Sequence, residues 1–385
     1  MRERNRAGSG GPARALRRRF RDAAGSWLEN RARSLFLLPA VLMLVFLSIF
    51  PLFVSLYLSL TRFQFVPGGF RLDFVGLANY RKLLVGIERE HFLGALATPS
   101  PGIGLAFALA ATALLVFVIR SVRNATGRAR NAASRVLLVL VAGTLAWVLL
   151  RALTGGGRPG SLITTIIYVA VGIVAQYCLA LTLAFLASQD LAGRRFFRVV
   201  FLLPMMITPV GIAYTFRILF DLGKGPFAPL WRAVGLAEVS WVNYPWGARA
   251  AVVVGDIWQW TPLMFIVLLA ALESVPTEML EAAMVDGASR WQMFWKVSWP
   301  QILPVSSTVI LIRLIEASKI VDLPNVLTNG GPGTATESLT LHAFMAWRTL
   351  DIGISAAVAY FLLFMVTFTA TAYVSLVHRR LSEAI

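Results

Sequence analysis

The 385-residue chain contains one cysteine and three histidines, and only 14% of its residues are charged. With Cys178 alone, neither a disulfide framework nor a thiolate metal site can be assembled. The charged fraction lies well below the quarter typical of soluble domains, while 57% of the residues are hydrophobic. Much of the surface must therefore face lipid. Acidic residues are scarce as well, 19 against 36 Lys and Arg, for a formal charge of +17. No G-x-x-x-x-G-K-[ST] phosphate loop, H-E-x-x-H helix or G-x-S-x-G turn occurs, and His91, His342 and His378 are far apart in sequence. A catalytic centre, a metal site and an ATPase site are all unexpected in this chain.

What is present are long apolar runs. A bilayer core about 30 Å thick takes roughly 20 apolar residues in a helix. Segments near 35–60, 103–119, 136–153, 161–187, 199–220, 248–272, 301–320 and 352–377 meet that criterion, the second and third being the shortest. The class is thus an all-α integral membrane protein with about eight transmembrane helices. The first run is longer than the core of a secretory signal and has no small-x-small cleavage site after it, so it reads as a retained anchor. Before it, an arm over 1–34 rich in arginine, with Leu16, Phe20, Trp27 and Leu28 spaced for one apolar side, reads as a basic interfacial helix.

The positive charge is distributed as a topology signal rather than as a nucleic-acid footprint. Placing the N-terminal arm in the cytoplasm puts Arg120, Arg123, Arg128, Arg130 and Arg135 in the next cytoplasmic loop, Arg194, Arg195 and Arg198 in the following one, and Arg379 and Arg380 in the tail. Fewer basic residues fall in the intervening loops, as the positive-inside rule requires. Both termini are expected in the cytoplasm. Nucleic acid is not an expected partner.

Between the sixth and seventh spans, 274–300 has helix signals instead of turn signals. Pro276 suits a first helical turn, Glu278 and Glu281 favour the positive end of the helix, and Gly287 can take the left-handed conformation that ends it. Ser289 and Gln292 then have capping-box spacing for a second short helix, and Pro300 is expected to punctuate entry to the next span. Ala282, Ala283, Gly287 and Ala288 leave the backbone unobstructed at the bend, so a partner can approach closely. From the residues alone, a well-capped helical hairpin lying on the membrane is the competing reading.

Glu281-Ala282-Ala283, Asp286-Gly287-Ala288, Phe294, Val297 and Pro300 resemble the EAA loop of permease subunits of binding-protein-dependent ABC importers. The family usually has isoleucine where Val297 stands. Lys319 to Pro324, the stretch Thr328-Asn329-Gly330-Gly331-Pro332-Gly333-Thr334-Ala335-Thr336-Glu337, Phe74 to Tyr80, Phe201 to Pro204 and Trp258 to Pro262 are similar to the sugar-type, maltose/glycerol-phosphate permease-like members. The resemblance covers about 35–90 and 161–377. It implies a type I ABC importer permease-like core, with 95–160 as an inserted transmembrane pair around an Arg-rich cytoplasmic loop. The expected organisation is arm 1–34, first core span and external segment 35–94, insertion 95–160, permease core 161–377 containing the coupling loop 274–300, and tail 378–385.

By that resemblance the chain has no covalent chemistry and no cofactor of its own. ATP and Mg bind in two partner ATPase subunits, docked at Glu281, Ala282, Ala283, Asp286, Gly287, Ala288, Phe294 and Pro300. The other implied partners are a second related permease, an extracellular or periplasmic solute-binding protein and a carbohydrate. The expected location is the plasma (inner) membrane of a bacterium, a source to which the preponderance of arginine over lysine also points. Polar groups inside spans are costly and mark cavities, pathways or partner helices. Here they are Gln176, Tyr214, Arg217, Asp256, Gln259, Trp260, Glu316 and Lys319, together with Arg313. Glu316 has the spacing to pair with Arg313 or Lys319; Tyr214 and Trp260 suit the C–H faces of a sugar. Asn329, Gly330, Gly331 and Pro332 read as a turn-rich external loop, with an outer-gate role by resemblance. The competing readings are the same machine carrying glycerol phosphate or another non-sugar solute, and a membrane scaffold or sensor.

Overall fold

A computed structural model describes residues 36–109, 112, 141, 143–154, 157–189, 193–235, 241 and 243–382. The basic arm, the Arg-rich 120–135 loop and residues 383–385 lie outside the described residues. The chain divides into two units, one up to Leu58 and one from Ser59 onward.

Helix α1, Phe36–Ser59, is apolar on every side, as a helix surrounded by lipid must be. Its interior contains a π-helical stretch, Val45–Ile49, closed by Phe50 N–H donating to Val45 O. Pro51 follows immediately. Having no N–H, it cannot bond the carbonyl four residues back, and its ring crowds that carbonyl; the widened turn relieves both.

From Ser59 the chain forms a hairpin, β1 Thr61–Val66 paired antiparallel with β2 Gly69–Phe74, in the register Thr61 opposite Phe74 through Val66 opposite Gly69. Short helices α2 Ala78–Leu84 and α3 Arg89–Phe92 follow. Asn79 Nδ2 donates to Ser59 O and Thr61 O, both at 2.9 Å, and Tyr80 Oη to Ser59 Oγ at 2.9 Å. A second pairing, β3 Gly94–Ala95 with β4 Arg158–Pro159, brings the chain in and out of 96–157 at one place. Gly94 is required there: its φ is +101°, and a Cβ would lie 2.1 Å from Arg158 O. Within this excursion the described helices are α4, 101–109, and α5, Gly143–Leu153. The described parts of the expected second and third spans are shorter than a membrane crossing.

The rest of the chain is a bundle around α10, Pro245–Glu273, which packs against α6, Ser161–Ala187, along most of its length. Leading into α10 are α7 Arg194–Met206, α8 Pro209–Leu219 and α9 Ala228–Ala233. Beyond it lie α11 Thr277–Val285, α12 Arg290–Ala317, α13 Asp322–Thr328, α14 Leu339–Arg348 and α15 Ile352–Ser382. Among the described residues five helices are long and apolar enough to cross a membrane (α1, α6, α10, α12 and α15), and the bent α7/α8 pair makes a sixth crossing if taken as one span.

Two expectations need correction. The run 199–220 is not one straight span, because α7 and α8 meet at 98°. Met206 ends α7, Thr208 Oγ1 caps α8 by accepting from Gly211 N, and Pro209 occupies the first turn; that is an N-terminal signal inside an apolar run, invisible to hydropathy. The pair still joins opposite ends of the bundle. Arg198 lies beside Glu273, while Phe216 packs with Val252 and Leu323. Second, Pro300 does not separate a short helix from the next span. Helix α12 runs through it, with a π-helical stretch at Phe294–Ser298 closed by Trp299 N–H donating to Phe294 O. The same accommodation precedes Pro51 and Pro300.

Connections sort cleanly between the two ends of the bundle. At one end Arg198 Nη2 donates to Ala187 O at 2.9 Å and pairs with Glu273, beside the α11 elbow. At the other end, Arg249 Nη2 donates to Pro159 O at 3.3 Å, and Thr165 Oγ1 accepts from Leu339 N at 2.8 Å. This alternation is what successive crossings produce.

Candidate coupling elbow and pathway residues

The elbow at 277–298 is built from local rules. Helix α11 ends in a Schellman motif: Ala288 N–H donates to Ala283 O at 2.9 Å and Gly287 N–H to Met284 O at 3.0 Å, with Gly287 at φ +76°. Glycine is the residue that adopts this conformation without a Cβ penalty. Two residues on, Ser289 and Gln292 close a reciprocal capping box, Ser289 N donating to Gln292 Oε1 at 2.9 Å and Gln292 N to Ser289 Oγ at 3.3 Å. The base is tied down by Ala271, Val275 and Ile302, with Leu280 and Trp299 packed on them.

Toward solvent the elbow is open. Glu281, Ala282, Asp286 and Gly287 are exposed, Ala283 and Ala288 partly so, and a Cβ on Gly287 would meet nothing within 4 Å. Val285 is 88% exposed and Trp291 70%, an apolar tip beside acidic side chains. Phe294 is buried against Phe185, Trp295 and Trp299, and Pro300 is exposed. Phe294 therefore supports the elbow, while the residues from Glu281 to Gly287 form its outer face.

The polar residues inside the spans separate into two groups. Gln176 on α6, Asp256 on α10 and Arg313 on α12 are buried in one knot. Arg313 Nη2 donates to Asp256 Oδ1 at 2.6 Å and also to Oδ2, Arg313 Nε donates to Gln176 Oε1 at 2.8 Å, and Gln176 Nε2 donates to Asp256 Oδ2 at 2.8 Å and to its backbone O at 3.0 Å. The guanidinium also lies 4.9 Å from the centre of the Trp260 ring. Gln259 is buried next to this knot in sequence, on the same helix. The expected pairing of Arg313 with Glu316 is not formed; Asp256 takes the arginine, and Glu316 pairs with Lys319 at 2.9 Å. A buried guanidinium needs a buried counter-charge, and a partly exposed glutamate one turn away cannot supply it.

The second group is exposed. Tyr214 and Arg217 lie on the open side of α8, Arg217 Nη1 donating to Val326 O at 3.2 Å, and Lys319 and Glu316 stand at the end of α12. Nearby, the 329–333 segment is compact. Asn329 and Gly330 both have positive φ, and Gly330 is buried. Gly330 N donates to Pro324 O, Thr336 N to Gly330 O, and Thr336 Oγ1 to Gly331 O at 3.1 Å. Tyr168 Oη donates to Thr336 O at 3.0 Å, seating the loop on α6.

Sequence separation concealed one assembly. His91 and His342 stack with centroids 4.0 Å apart. His91 Nε2 is 2.8 Å from Glu337 Oε2, His91 Nδ1 is 3.4 Å from Glu88 Oε2, and His342 Nδ1 is 2.9 Å from Ser161 Oγ. Burial draws the His91 pKa down, but Glu337 and Glu88 together outweigh it and hold the ring above its ordinary value. Burial first, and the neighbouring His91 second, push His342 down to about 3. The clue in the sequence was local: Glu88 with His91, and Glu337-Ser338 ahead of His342, in two segments assigned to the same side.

A bundle of helices long and apolar enough to cross a membrane, with a buried polar knot inside and a partly acidic elbow at one end, has the architecture of an integral membrane protein with an exposed docking face. Residues 176–383 match the family described as the binding-protein-dependent transport system inner membrane component, and the chain belongs to it. It is a permease subunit. The trehalose/maltose transport system permease protein MalF of Thermococcus litoralis is 33% identical over 199 residues, covering 52% of this chain and 68% of that protein. The multiple sugar-binding transport system permease protein MsmF of Streptococcus mutans is 29% identical, covering 52% and 70%. The trehalose transport system permease protein SugA of Mycobacterium tuberculosis is 29% identical, covering 56% and 69%. The chain thus spans about two thirds of the length of these relatives. A crystal structure of a bacterial alginate ABC transporter in complex with an alginate pentasaccharide-bound periplasmic protein has a chain of similar fold, with TM-score 0.53, 20% identity, and coverage of 57% and 78%.

Proposed function

We propose that this chain forms half of the translocation pathway of an ATP-driven importer for a carbohydrate, paired with a related permease and served by a solute-binding protein. Support for a carbohydrate comes from its relatives, which are named for trehalose, maltose and multiple sugars; glycerol phosphate is not favoured. In this reading two ATPase subunits hold ATP and Mg and engage the 281–288 face, and the elbow faces the cytoplasm along with both termini. The 329–337 loop then lies on the outer side, within reach of the binding protein.

The observation that carries the coupling role is the contrast at Gly287, whose backbone is locked by two caps while its surroundings are open. A rigid lever needs its own hydrogen bonds satisfied internally and its face free for a partner. Closure of the ATPases would then move the elbow as a body and, through the continuous α12, tilt the bundle between inward-facing and outward-facing states. In the pathway, Tyr214 is the aromatic with an open face; Trp260 already carries Arg313 on its ring. Gln176 and Asp256 act through the knot that shapes the bundle rather than by touching sugar.

The test is ATP hydrolysis and uptake by the reconstituted importer with its binding protein and a panel of sugars. Gly287→Arg is expected to abolish sugar-stimulated hydrolysis while the chain stays folded in the membrane. Full stimulation in that variant would overturn the coupling role, and stimulation by glycerol phosphate alone would overturn the carbohydrate.

A further inference from the structure

The Glu88, His91 and His342 cluster has no part in the mechanism above. It lies at the end of the bundle away from the elbow and joins segments from distant parts of the chain: the one leading into α3, the head of α6 through Ser161, and α14 with the turn before it. One ligand atom from each of Glu88, His91 and His342 lies within 4.8 Å of the others. Tetrahedral zinc with bonds of 2.0–2.1 Å places its ligand atoms about 3.4 Å apart. The three groups would therefore need to draw in by little more than an ångström; Glu88, at the N-cap of α3, and His91 within it are both partly exposed.

The surrounding hydrogen bonds show an order that a chance ion pair does not need. A metal-binding histidine normally hands its other ring nitrogen to a carboxylate or another acceptor, which sets the tautomer and turns the free nitrogen to the ion. Both rings here are held in that way. Glu337 accepts from Nε2 of His91, leaving Nδ1 toward Glu88; Ser161 takes Nδ1 of His342, leaving Nε2 unused by that bond. The two rings stack with 18° between their planes, so the partly exposed His91 ring would have to turn for both imidazoles to aim a nitrogen at one ion. Independently, Glu337 is only 4% exposed, and its Oε1 is buried without a hydrogen-bond partner. An unpaired carboxylate oxygen is an expensive thing to bury, and a cation beside His91 would compensate for it.

We propose that Glu88, His91 and His342 form a binding site for a divalent transition ion of the zinc type, with Glu337 and Ser161 orienting the two histidines. Two imidazoles and one carboxylate are the ligand set that suits zinc, leaving a fourth position for water. The ion would fasten the segment around α3 to α14, bracing the end of the bundle that carries the 329–337 loop.

The test uses the full chain in its purified, metal-stripped complex, with Co2+ as the probe and Zn2+ as competitor. One equivalent of Co2+ is expected to give the visible absorption of a four-coordinate site, bleached by Zn2+, and Zn2+ is expected to raise the melting temperature. His91→Ala, at a partly exposed position that leaves the core intact, should abolish both signals. Glu337→Gln should keep the site but weaken it by about 10–100-fold. Absence of the Co2+ spectrum in the wild-type complex would overturn the proposal and leave an ion pair between His91 and its two glutamates. So would a Zn2+ stabilisation that survives in His91→Ala. Neither readout depends on transport, so this site and the importer reading stand or fall separately.

Discussion

Two polar regions of this chain obey opposite rules. The knot of Gln176, Asp256 and Arg313 is buried, and its polar groups are turned on one another, whereas the 281–288 elbow spends its hydrogen bonds on its own backbone and leaves its side chains outward. Inside an apolar bundle an unmatched charge costs more than several good contacts return, so the charges of the knot are matched within it. The elbow is under no such pressure. Inward-turned polar groups thus hold the bundle together, and outward-turned ones are left free for the partner proposed above.

Four perturbations sharpen this contrast. Asp256→Ala would strand Arg313 without its counter-charge, and loss of one partner of a buried pair costs about 3–5 kcal/mol. Melting of the purified chain should fall sharply, and the double variant with Arg313→Met should recover most of the loss; a single variant as stable as wild type would mean the knot is wet and available to solute. Gly287→Arg should cost only about 1–2 kcal/mol of left-handed strain, yet uncouple ATP hydrolysis from sugar. If it instead unfolds the chain, the elbow belongs with the knot.

Ser289→Ala removes the capping-box acceptor and should lower stability by about 1 kcal/mol, with a partial loss of coupling readable as a reduced ratio of uptake to hydrolysis. The smallest effect is expected at Lys319→Met. Its pair with Glu316 is about half exposed, so screening limits it to about 0.2–1 kcal/mol. A tenfold change in KM for sugar at unchanged stability would instead place Lys319 in the pathway.

What could be read without coordinates was local. The capping box at Ser289 and Gln292 and the left-handed Gly287 depend on neighbours within a few residues, and both appear as expected. The long spans α1, α6, α10 and α15 follow from runs of apolar residues. The break between α7 and α8 was also written locally, in Thr208-Pro209, but a hydropathy window averages over it. The continuity of α12 through Pro300 was missed for the converse reason: proline reads as a stop, yet a π-helical stretch carries the helix past it.

Sequence by itself determined that this chain lives in a membrane, where its long straight spans α1, α6, α10 and α15 run, and that 277–293 folds as two capped helices around Gly287, because the hydrophobic run and the helix cap are short-range properties. Only the tertiary structure decided which polar residues neutralise one another. Asp256 rather than Glu316 holds Arg313, and His91 meets His342, because helices α6, α10 and α12 pack in one particular arrangement and the segments at one end of the bundle fold onto each other. Charge pairing acts over a few ångströms, and which groups come that close is settled by packing, not by position along the chain.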